Sequence, residues 1–416
     1  MRRVLALFAA VVLVLSFAPP AAAANPTGTI SVGSYYSGGD EAGLAAMTDY
    51  CAAQIGATVT VNPGAFDVGS IETYLQGTPD EVLTWDGSER MRFYSDQGLL
   101  TPINDVWHHV GANYSHALRA VSTGSDGRQY LVPILQYPWV VLYRKSVFAE
   151  KGYDVPTTLA QFVALAQKMQ ADGLIPLASA DAEGWPAMGM FDILDMRMNG
   201  YRFHMGLMAG NNRWTDRRVK AVFKEWAALL PYFQPDAASR YVLDGAAEMI
   251  DGQAGMYFSG TFAANATTDP SVIDDLGMFS FPLFGNRYDS ENAIDAPLEG
   301  LAISTNRHDL GTAKKLLECA ATVPAQRAFV AADPVGGIAT VKHAETSGYT
   351  SYQKEMLQVI KASNKTAQFL DRDSRPDFTG ADGMQAFLAD FLVNPTQNLD
   401  HFLCRIQHFW NSLPRH

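Results

Sequence analysis

Cysteine is scarce in this chain, which carries it only at positions 51, 319 and 404. An odd number allows at most one disulfide within the chain. No spacing of cysteine and histidine matches a zinc motif, and the adjacent His108 and His109 would point apart on a strand or a helix. We therefore expect no metal centre.

Basic residues are also few, with 31 Lys and Arg against 43 Asp and Glu and a formal net charge of -12. A surface of this sign repels nucleic acid and anionic lipid. Charged residues make up only 18% of the chain and hydrophobic residues 48%, which favours a compact globule over disorder. Because 416 residues exceed what one core usually supports, we expect at least two lobes.

Long hydrophobic runs are missing after the N-terminus. Residues 4–18 form an apolar run that follows two arginines and precedes an A-x-A arrangement of Ala21 and Ala23. The run is shorter than the roughly 20 residues that span a bilayer, so residues 1–24 are predicted to be a cleaved signal peptide. A bacterial lipoprotein needs a cysteine directly after its signal peptide, whereas the first cysteine here, Cys51, lies well inside the predicted mature chain. We expect a mature protein that is periplasmic or secreted.

The chain after the signal alternates between strand and helix patterns. A short apolar strand from residue 29 leads into the loop SYYSGGDE, and a helix follows in which Leu44, Met47, Cys51 and Ile55 recur at helical spacing. The alternating run TVTV comes next, followed by the strand patterns EVLTW and QYLVPI. This β-α-β order predicts an α/β fold with helices on the faces of a parallel sheet.

Three longer motifs stand out in the remaining sequence. Residues 127–168 combine an extended run, an aromatic break, a second extended run and a helix that opens with the capping box of Thr158 and Gln161. The segment GQAGMYFSGTFAAN, from residue 252, is a strand that turns directly into a helix. The segment that begins APLEGLAIST, at residue 296, is a strand followed by an amphipathic helix.

In order and spacing these motifs resemble the extracellular solute-binding proteins of ABC importers, specifically the carbohydrate-binding branch that includes the maltose-binding protein family. The resemblance implies a two-lobed periplasmic-binding-protein fold, each lobe a mostly parallel sheet flanked by helices, joined by hinge crossovers. Residues 25–135 and 286–340 would form lobe I, and residues 136–285 and 341–416 lobe II. The same topology places Cys51 and Cys319 in one lobe, where they would be the pair that forms a disulfide.

The loop SYYSGGDE supplies candidate ligand contacts in lobe I, because ligands of open α/β sheets bind at the carboxyl ends of strands. Asp40 and Glu41 would repel an anion but can accept hydrogen bonds from hydroxyl groups, while Tyr35 and Tyr36 can cover the apolar face of a sugar ring. The alternative is that Asp40 caps the helix and one tyrosine belongs to the core.

Two further candidates in lobe I follow a second strand pattern. Trp85 and Asp86 belong to a segment similar to the family stretch in which a tryptophan and a charged residue contact sugar, although a tryptophan after a strand is often a core residue. Glu299, which precedes the predicted re-entry strand, either faces the cleft or is a solvated loop charge.

The crossover and lobe II contribute aromatic candidates. Tyr137 and Trp139 stand at the crossover, where Pro138 departs from the family pattern. Trp185 resembles the aromatic that the second lobe contributes to the cleft. Phe262 occupies a family position usually held by tryptophan, and it keeps a stacking surface without the indole donor.

These residues predict a monomeric exported protein that captures a monosaccharide or oligosaccharide by hinge closure and delivers it to the permease subunits of an ABC transporter. No cofactor is expected. The sequence contains no nucleophile elbow, zinc protease motif or phosphate-binding glycine loop, so no catalytic residues are assigned. The alternatives are a binding protein for a polyol, glycerophosphodiester or polyamine and, less favoured, an exported glycoside hydrolase, since acidic residues and aromatics can flank a glycosidic bond.

Overall fold

The computed structural model describes residues 28–414, so the predicted signal peptide lies outside the described part of the chain. Within that part, no helix combines the length and the apolar character that a bilayer span requires. Strands and helices alternate through its first half, as the sequence predicts.

The strands of the described residues form two main sheets and one small one. Their bounds are β1 (Thr29–Ser34), β2 (Thr58–Pro63), β3 (Val82–Asp86), β4 (Leu131–Gln136), β5 (Trp139–Arg144), β6 (Ile175–Ala178), β7 (Ala254–Gly260), β8 (Leu276–Phe279), β9 (Ile294–Asp295), β10 (Leu298–Ile303), β11 (Ile338–Ala339) and β12 (Thr366–Ala367).

The helices of the same residues pack on these sheets and on one another. Their bounds are α1 (Gly39–Ile55), α2 (Ile71–Gln76), α3 (Glu89–Asp96), α4 (Asn104–Val110), α5 (His116–Val121), α6 (Lys145–Lys151), α7 (Leu159–Ala171), α8 (Pro186–Asn199), α9 (Tyr201–Met208), α10 (Arg217–Leu229), α11 (Val242–Ile250), α12 (Pro270–Asp275), α13 (Leu310–Ala320), α14 (Val323–Ala332), α15 (Ser351–Ala362), α16 (Leu370–Asp373), α17 (Pro376–Thr379), α18 (Met384–Val393) and α19 (Leu399–Ser412).

The first sheet has six strands in the order β11-β4-β10-β3-β1-β2. Strand β1 runs parallel to β2 and β3, whereas β10 runs antiparallel to β3 and β4, and β11 is antiparallel to β4. The two central strands β3 and β10 are buried along their whole length, so the acids that they carry, Asp86 and Glu299, are buried as well.

The second sheet has four strands in the order β6-β7-β5-β8. Strands β6 and β7 are parallel, and β5 is antiparallel to both β7 and β8. The two-lobed α/β architecture is therefore confirmed. In the first sheet β10 and β11 run against the other four strands, and in the second sheet β5 runs against the other three. Strand β10, on returning from the second sheet, inserts between β3 and β4 in the opposite direction.

The chain passes between the two sheets at three places. The first passage joins β4 to β5 through Tyr137 and Pro138, and the second runs from β8 to β10 through β9. The third leads from β11 to α15, which packs against β8. Strand β12, which follows α15, then pairs in parallel with β9 of the second passage.

Cys51 of α1 and Cys319 of α13 form a disulfide with their Cα atoms 5.7 Å apart. The expected pairing is confirmed. Both helices pack on the first sheet together with α14. Cys404 is the remaining cysteine, and it is exposed on α19.

Candidate ligand-binding site

A cavity of about 1010 Å³ opens between the two sheets. One wall comes from the loop after β1, the loop after β2 and helix α3, and the other from the loop before α8 and the segment around α17. The lining residues are Tyr35, Tyr36, Ser37, residues 64–70, Arg90, Tyr94, Glu183, Trp185, Asp371, Pro376, residues 379–381 and Gln385.

The two tyrosines after β1 line this cavity side by side. Their rings meet edge to face with centres 5.1 Å apart. The Tyr35 hydroxyl donates to Asp86 Oδ1 at 3.0 Å, while the Tyr36 hydroxyl is buried and has no hydrogen-bond partner. Tyr36 is 4% exposed and packs in the core of the first lobe. Burial raises the pKa of both tyrosines, so both hydroxyls stay protonated.

Asp40 and Glu41, the two acids that follow these tyrosines in the sequence, have different surroundings. Asp40 makes no capping bond to its helix, and its Oδ1 is buried without a partner. A Cβ added to Gly336 would meet Asp333 Oδ2 at 1.9 Å and Asp40 Oδ1 at 2.5 Å, so these two carboxylates converge. Burial, and next the charge of Asp333, raise the pKa of Asp40 well above its usual range. Glu41 is half-buried and does not line the cavity.

Trp85 and Asp86 occupy the last two positions of β3. Trp85 is fully buried in the first-lobe core, with the Tyr35 ring 6.0 Å and the Tyr94 ring 5.7 Å from its centre. The Arg90 guanidinium lies 5.9 Å from the same ring. Trp85 therefore lies behind the residues that line the cavity, in contact with them.

Asp86 is the centre of a buried ionic network. It accepts from Arg90 Nη1 at 2.7 Å, and Arg372 Nη1 lies 3.2 Å from its second oxygen. Arg90 Nη2 is also 2.5 Å from Asp371 Oδ2. Burial raises the pKa of Asp86, but the charges of Arg372 and Arg90 outweigh it and lower the pKa below its usual value. The network therefore holds the Asp86 carboxylate ionised.

Arg372 extends the network to the first crossover. Its Nη2 lies 3.0 Å from Glu299 Oε1 and 3.0 Å from the Tyr137 hydroxyl, which itself donates to Glu299 at 3.1 Å. Glu299 lies inside β10 rather than before it, and is 5% exposed. It is therefore a buried, paired charge and not a solvated loop residue.

The aromatic candidates of the second lobe form one cluster. Trp139 stacks on Phe369 with ring centres 4.6 Å apart and is almost completely buried. Trp185 and Phe262 contact the same cluster, with 6.1 Å between their ring centres, and Phe262 also reaches Tyr137 at 5.3 Å. Trp185 is the member that lines the cavity.

The sequence matches a known protein family. The family model described as bacterial extracellular solute-binding protein matches residues 21–327. The chain belongs to this family. The resemblance predicted from the three sequence motifs is therefore confirmed.

Two relatives of this solute-binding protein are described by the sugars that they bind. It is 38% identical to the bacterial solute receptor AcbH, with a TM-score of 0.86 over 92% of this chain and 97% of AcbH. AcbH is described as having an exclusive substrate preference for β-D-galactopyranose. The α-glucosides-binding periplasmic protein AglE of Rhizobium meliloti is 23% identical over 372 residues, 81% of this chain and 77% of AglE.

A third relative is the uncharacterized ABC transporter extracellular-binding protein PH1214 of Pyrococcus horikoshii. It is 24% identical over 294 residues, which make up 70% of this chain and 64% of PH1214. The chain thus spans slightly less than two thirds of that relative.

Four residues that the sequence motifs do not predict belong to the candidate site of this solute-binding protein. They are Arg90, Phe369, Asp371 and Arg372, which pair with or stack on the predicted residues Asp86, Glu299 and Trp139. The run DRDSRPD at residues 371–377 alternates acids and bases. That unusual density of opposite charges was the available signal.

A second buried cluster of acids lies beside the crossing segments. His204 Nδ1 is 3.0 Å from Asp195 Oδ2, and both side chains are fully buried. Burial lowers the pKa of His204, but the bond to Asp195 and nearby carboxylates raise it overall. Asp295 on β9 is fully buried, and neither of its oxygens has a hydrogen-bond partner. Burial raises the pKa of Asp295 to about 7.

Asp295 is expected to make the solute-binding protein less stable as the pH rises. Its pKa is about 7 in the folded protein and about 3.9 when unfolded, so the folded state binds this proton more tightly. Its favourable contribution is complete below about pH 4 and lost as the pH rises through about 7. Melting temperatures at about pH 5 and pH 8 should differ less in Asp295→Asn than in the wild type.

The exposed Asp400, whose side chain is 75% exposed, provides the control. Asp400→Asn should keep the wild-type difference between the two pH values. An Asp295→Asn protein with the full wild-type difference would show that Asp295 is ionised in the folded state.

Proposed function

We propose that the protein captures a sugar in the cleft between its lobes, closes around it by hinge motion and delivers it to the permease of an ABC importer. The observation that carries the proposal is the cavity of about 1010 Å³ with aromatic rings and carboxylates on its walls. A sugar has apolar ring faces that stack on aromatics and hydroxyl groups that donate to carboxylates. The similarity to AcbH, which prefers β-D-galactopyranose, and to AglE, which binds α-glucosides, supports the same conclusion.

Within this cleft, Tyr36 and Trp185 are the proposed stacking residues from opposite walls. The buried Oδ1 of Asp371, which has no partner and belongs to a residue that lines the cavity, is the proposed acceptor for a hydroxyl group. Asp40 does not line the cavity, and its carboxyl group lies beside that of Asp333. Asp86, whose carboxylate is already paired, would position the others. Lobe I would comprise residues 25–135 and 286–340, and lobe II residues 136–285 and 341–416.

Export would use the N-terminal segment as a cleaved signal peptide and place the mature protein in the periplasm or outside the cell. The sugar would leave the cleft chemically unchanged. Incubation with oligosaccharides followed by product analysis checks this point, and turnover would identify a glycoside hydrolase instead.

A thermal-shift panel tests the function directly. D-galactose, maltose, raffinose and chitin oligosaccharides cover the sugars in the descriptions of the structural relatives, and glycerol and spermidine represent the other solute classes. A ligand at a hundred times its dissociation constant stabilises the folded state by about 2.7 kcal/mol. At least one sugar should raise the melting temperature. A shift with spermidine and with no sugar would contradict the proposal.

Trp185→Ala is expected to weaken sugar binding about 30-fold, which corresponds to about 2 kcal/mol. The reason is the loss of a stacking face from one wall of the cavity, and Trp185→Phe should recover most of the affinity. Calorimetric titration measures both. Tyr241→Ala, at a side chain of the same lobe that is 61% exposed, should bind like the wild type. Unchanged affinity in Trp185→Ala would exclude Trp185 from the site.

A further inference from the structure

Charge is unevenly distributed on the walls of the cavity. Of the described residues that line it, three are acidic, Asp67, Glu183 and Asp371, and Arg90 is the single base. Arg375, which is close in sequence, does not line the cavity and is paired with Asp377 at 2.5 Å. The walls therefore carry a formal charge of about minus two.

Arg90 is fully engaged within the protein. Its Nη1 binds Asp86, its Nη2 binds Asp371, and its Nε donates to the Asp371 carbonyl at 3.1 Å. An anionic ligand could recruit this guanidinium only by breaking a buried ion pair, which is strongly unfavourable. The cavity therefore offers no unpaired base to a sugar that carries a carboxylate or a phosphate, among the residues that line it.

Asp371 has one carboxylate oxygen that accepts no hydrogen bond from the protein. Its side chain is buried, and Oδ1 has no hydrogen-bond partner while Oδ2 binds Arg90. Both carboxylate oxygens of Glu183 accept from the same backbone N–H, that of Val242, at 3.0 and 3.2 Å. A ligand that brings a donor, and above all a charged donor, would satisfy Asp371 Oδ1.

Aromatic faces surround the same space. The rings that line it are Tyr35, Tyr36, Phe66, Tyr94 and Trp185. Burial raises the pKa of Tyr94 to about 12, so its hydroxyl is neutral. Aromatic faces attract an ammonium group through their quadrupole, most strongly when water is excluded. Carboxylates and aromatic faces together favour a cationic ligand.

We propose that the sugar taken by this cleft carries a protonated amino group, which lies against Asp371 and the aromatic rings. This inference rests on the proposed sugar-binding function and names the chemical class of the ligand. It distinguishes amino sugars from their neutral and acidic counterparts of the same ring geometry.

Calorimetric titration at about pH 6.5, where a sugar amine is mostly protonated, tests the proposal with matched sugars. The series is D-galactosamine, D-galactose, N-acetyl-D-galactosamine and D-galacturonate, with the corresponding glucose series beside it. In at least one series the free amine should bind about tenfold or more tighter than the neutral sugar, because a charge-assisted hydrogen bond replaces a neutral one. The uronate should bind weakest. The preference should shrink as salt is added.

Asp371→Asn should reduce the ratio of amine to neutral-sugar affinity to about one. Asp126→Asn, at an exposed acid paired with Arg128, should keep the wild-type ratio. If Asp371→Asn does not fold, Glu183→Gln should lower the ratio in the same direction. Equal or tighter binding of the neutral sugar by the wild type would overturn this inference and leave the proposed function intact. Binding of spermidine with no sugar would overturn both.

Discussion

Arg372→Met is expected to destabilise the protein by about 3–5 kcal/mol and to remove most of its sugar binding. The substitution keeps the apolar volume of the side chain but leaves Asp86 and Glu299, both almost completely buried, with fewer cationic partners. Breaking a buried ion pair from one side is costly because the remaining charge stays desolvated. Tyr137 would also lose a donor at 3.0 Å, so the first crossover would loosen together with the cleft.

Urea unfolding at neutral pH measures the stability change, and calorimetric titration measures the affinity. Arg375→Met is the matched control, since Arg375 pairs with Asp377 in a more exposed setting and should cost about 1 kcal/mol or less. Glu299→Gln combined with Arg372→Met should recover part of the stability because one uncompensated charge is removed. Equal losses in the two methionine variants would show that the network does not stabilise the fold.

Removing the disulfide by Cys51→Ala and Cys319→Ala is expected to cost about 2–5 kcal/mol. The bond joins residues 268 positions apart, so it restricts a large part of the unfolded chain. It also holds α1 against α13, and the loop with Tyr35 and Tyr36 leads directly into α1. Sugar affinity of the folded fraction should nevertheless stay near that of the wild type, because neither cysteine lines the cavity.

Thermal unfolding of the double variant and of Cys404→Ser provides the comparison. Cys404 is exposed and unpaired by a disulfide, so Cys404→Ser should melt like the wild type. A double variant with wild-type stability would mean that the bond does not form in the exported protein.

Much of the first lobe could be predicted because its signals are local. The alternation of strand and helix identifies β1, α1, β2 and β3, and the carboxyl ends of parallel strands meet at one edge. The loop after β1 and the end of β3 are therefore neighbours, and the hydrogen bond from Tyr35 to Asp86 joins them. The capping box of Thr158 and Gln161 is another local signal, and α7 begins there.

The ionic network could not be predicted in the same way. Arg90 and Asp371 are 281 positions apart, and the pairing of remote charges leaves no periodic pattern along the chain. The burial of Glu299 likewise depends on β10 inserting between β3 and β4, which adjacent residues do not reveal. The direction of β10 could not be predicted for the same reason: an apolar run is compatible with parallel and antiparallel neighbours.

A crystal structure of the protein grown with a sugar that raises its melting temperature would show where the sugar binds. We expect one sugar ring between Tyr36 and Trp185, with at least one of its polar groups bound to Asp371 Oδ1. A sugar bound elsewhere, or in the cleft without contact to either ring, would contradict it.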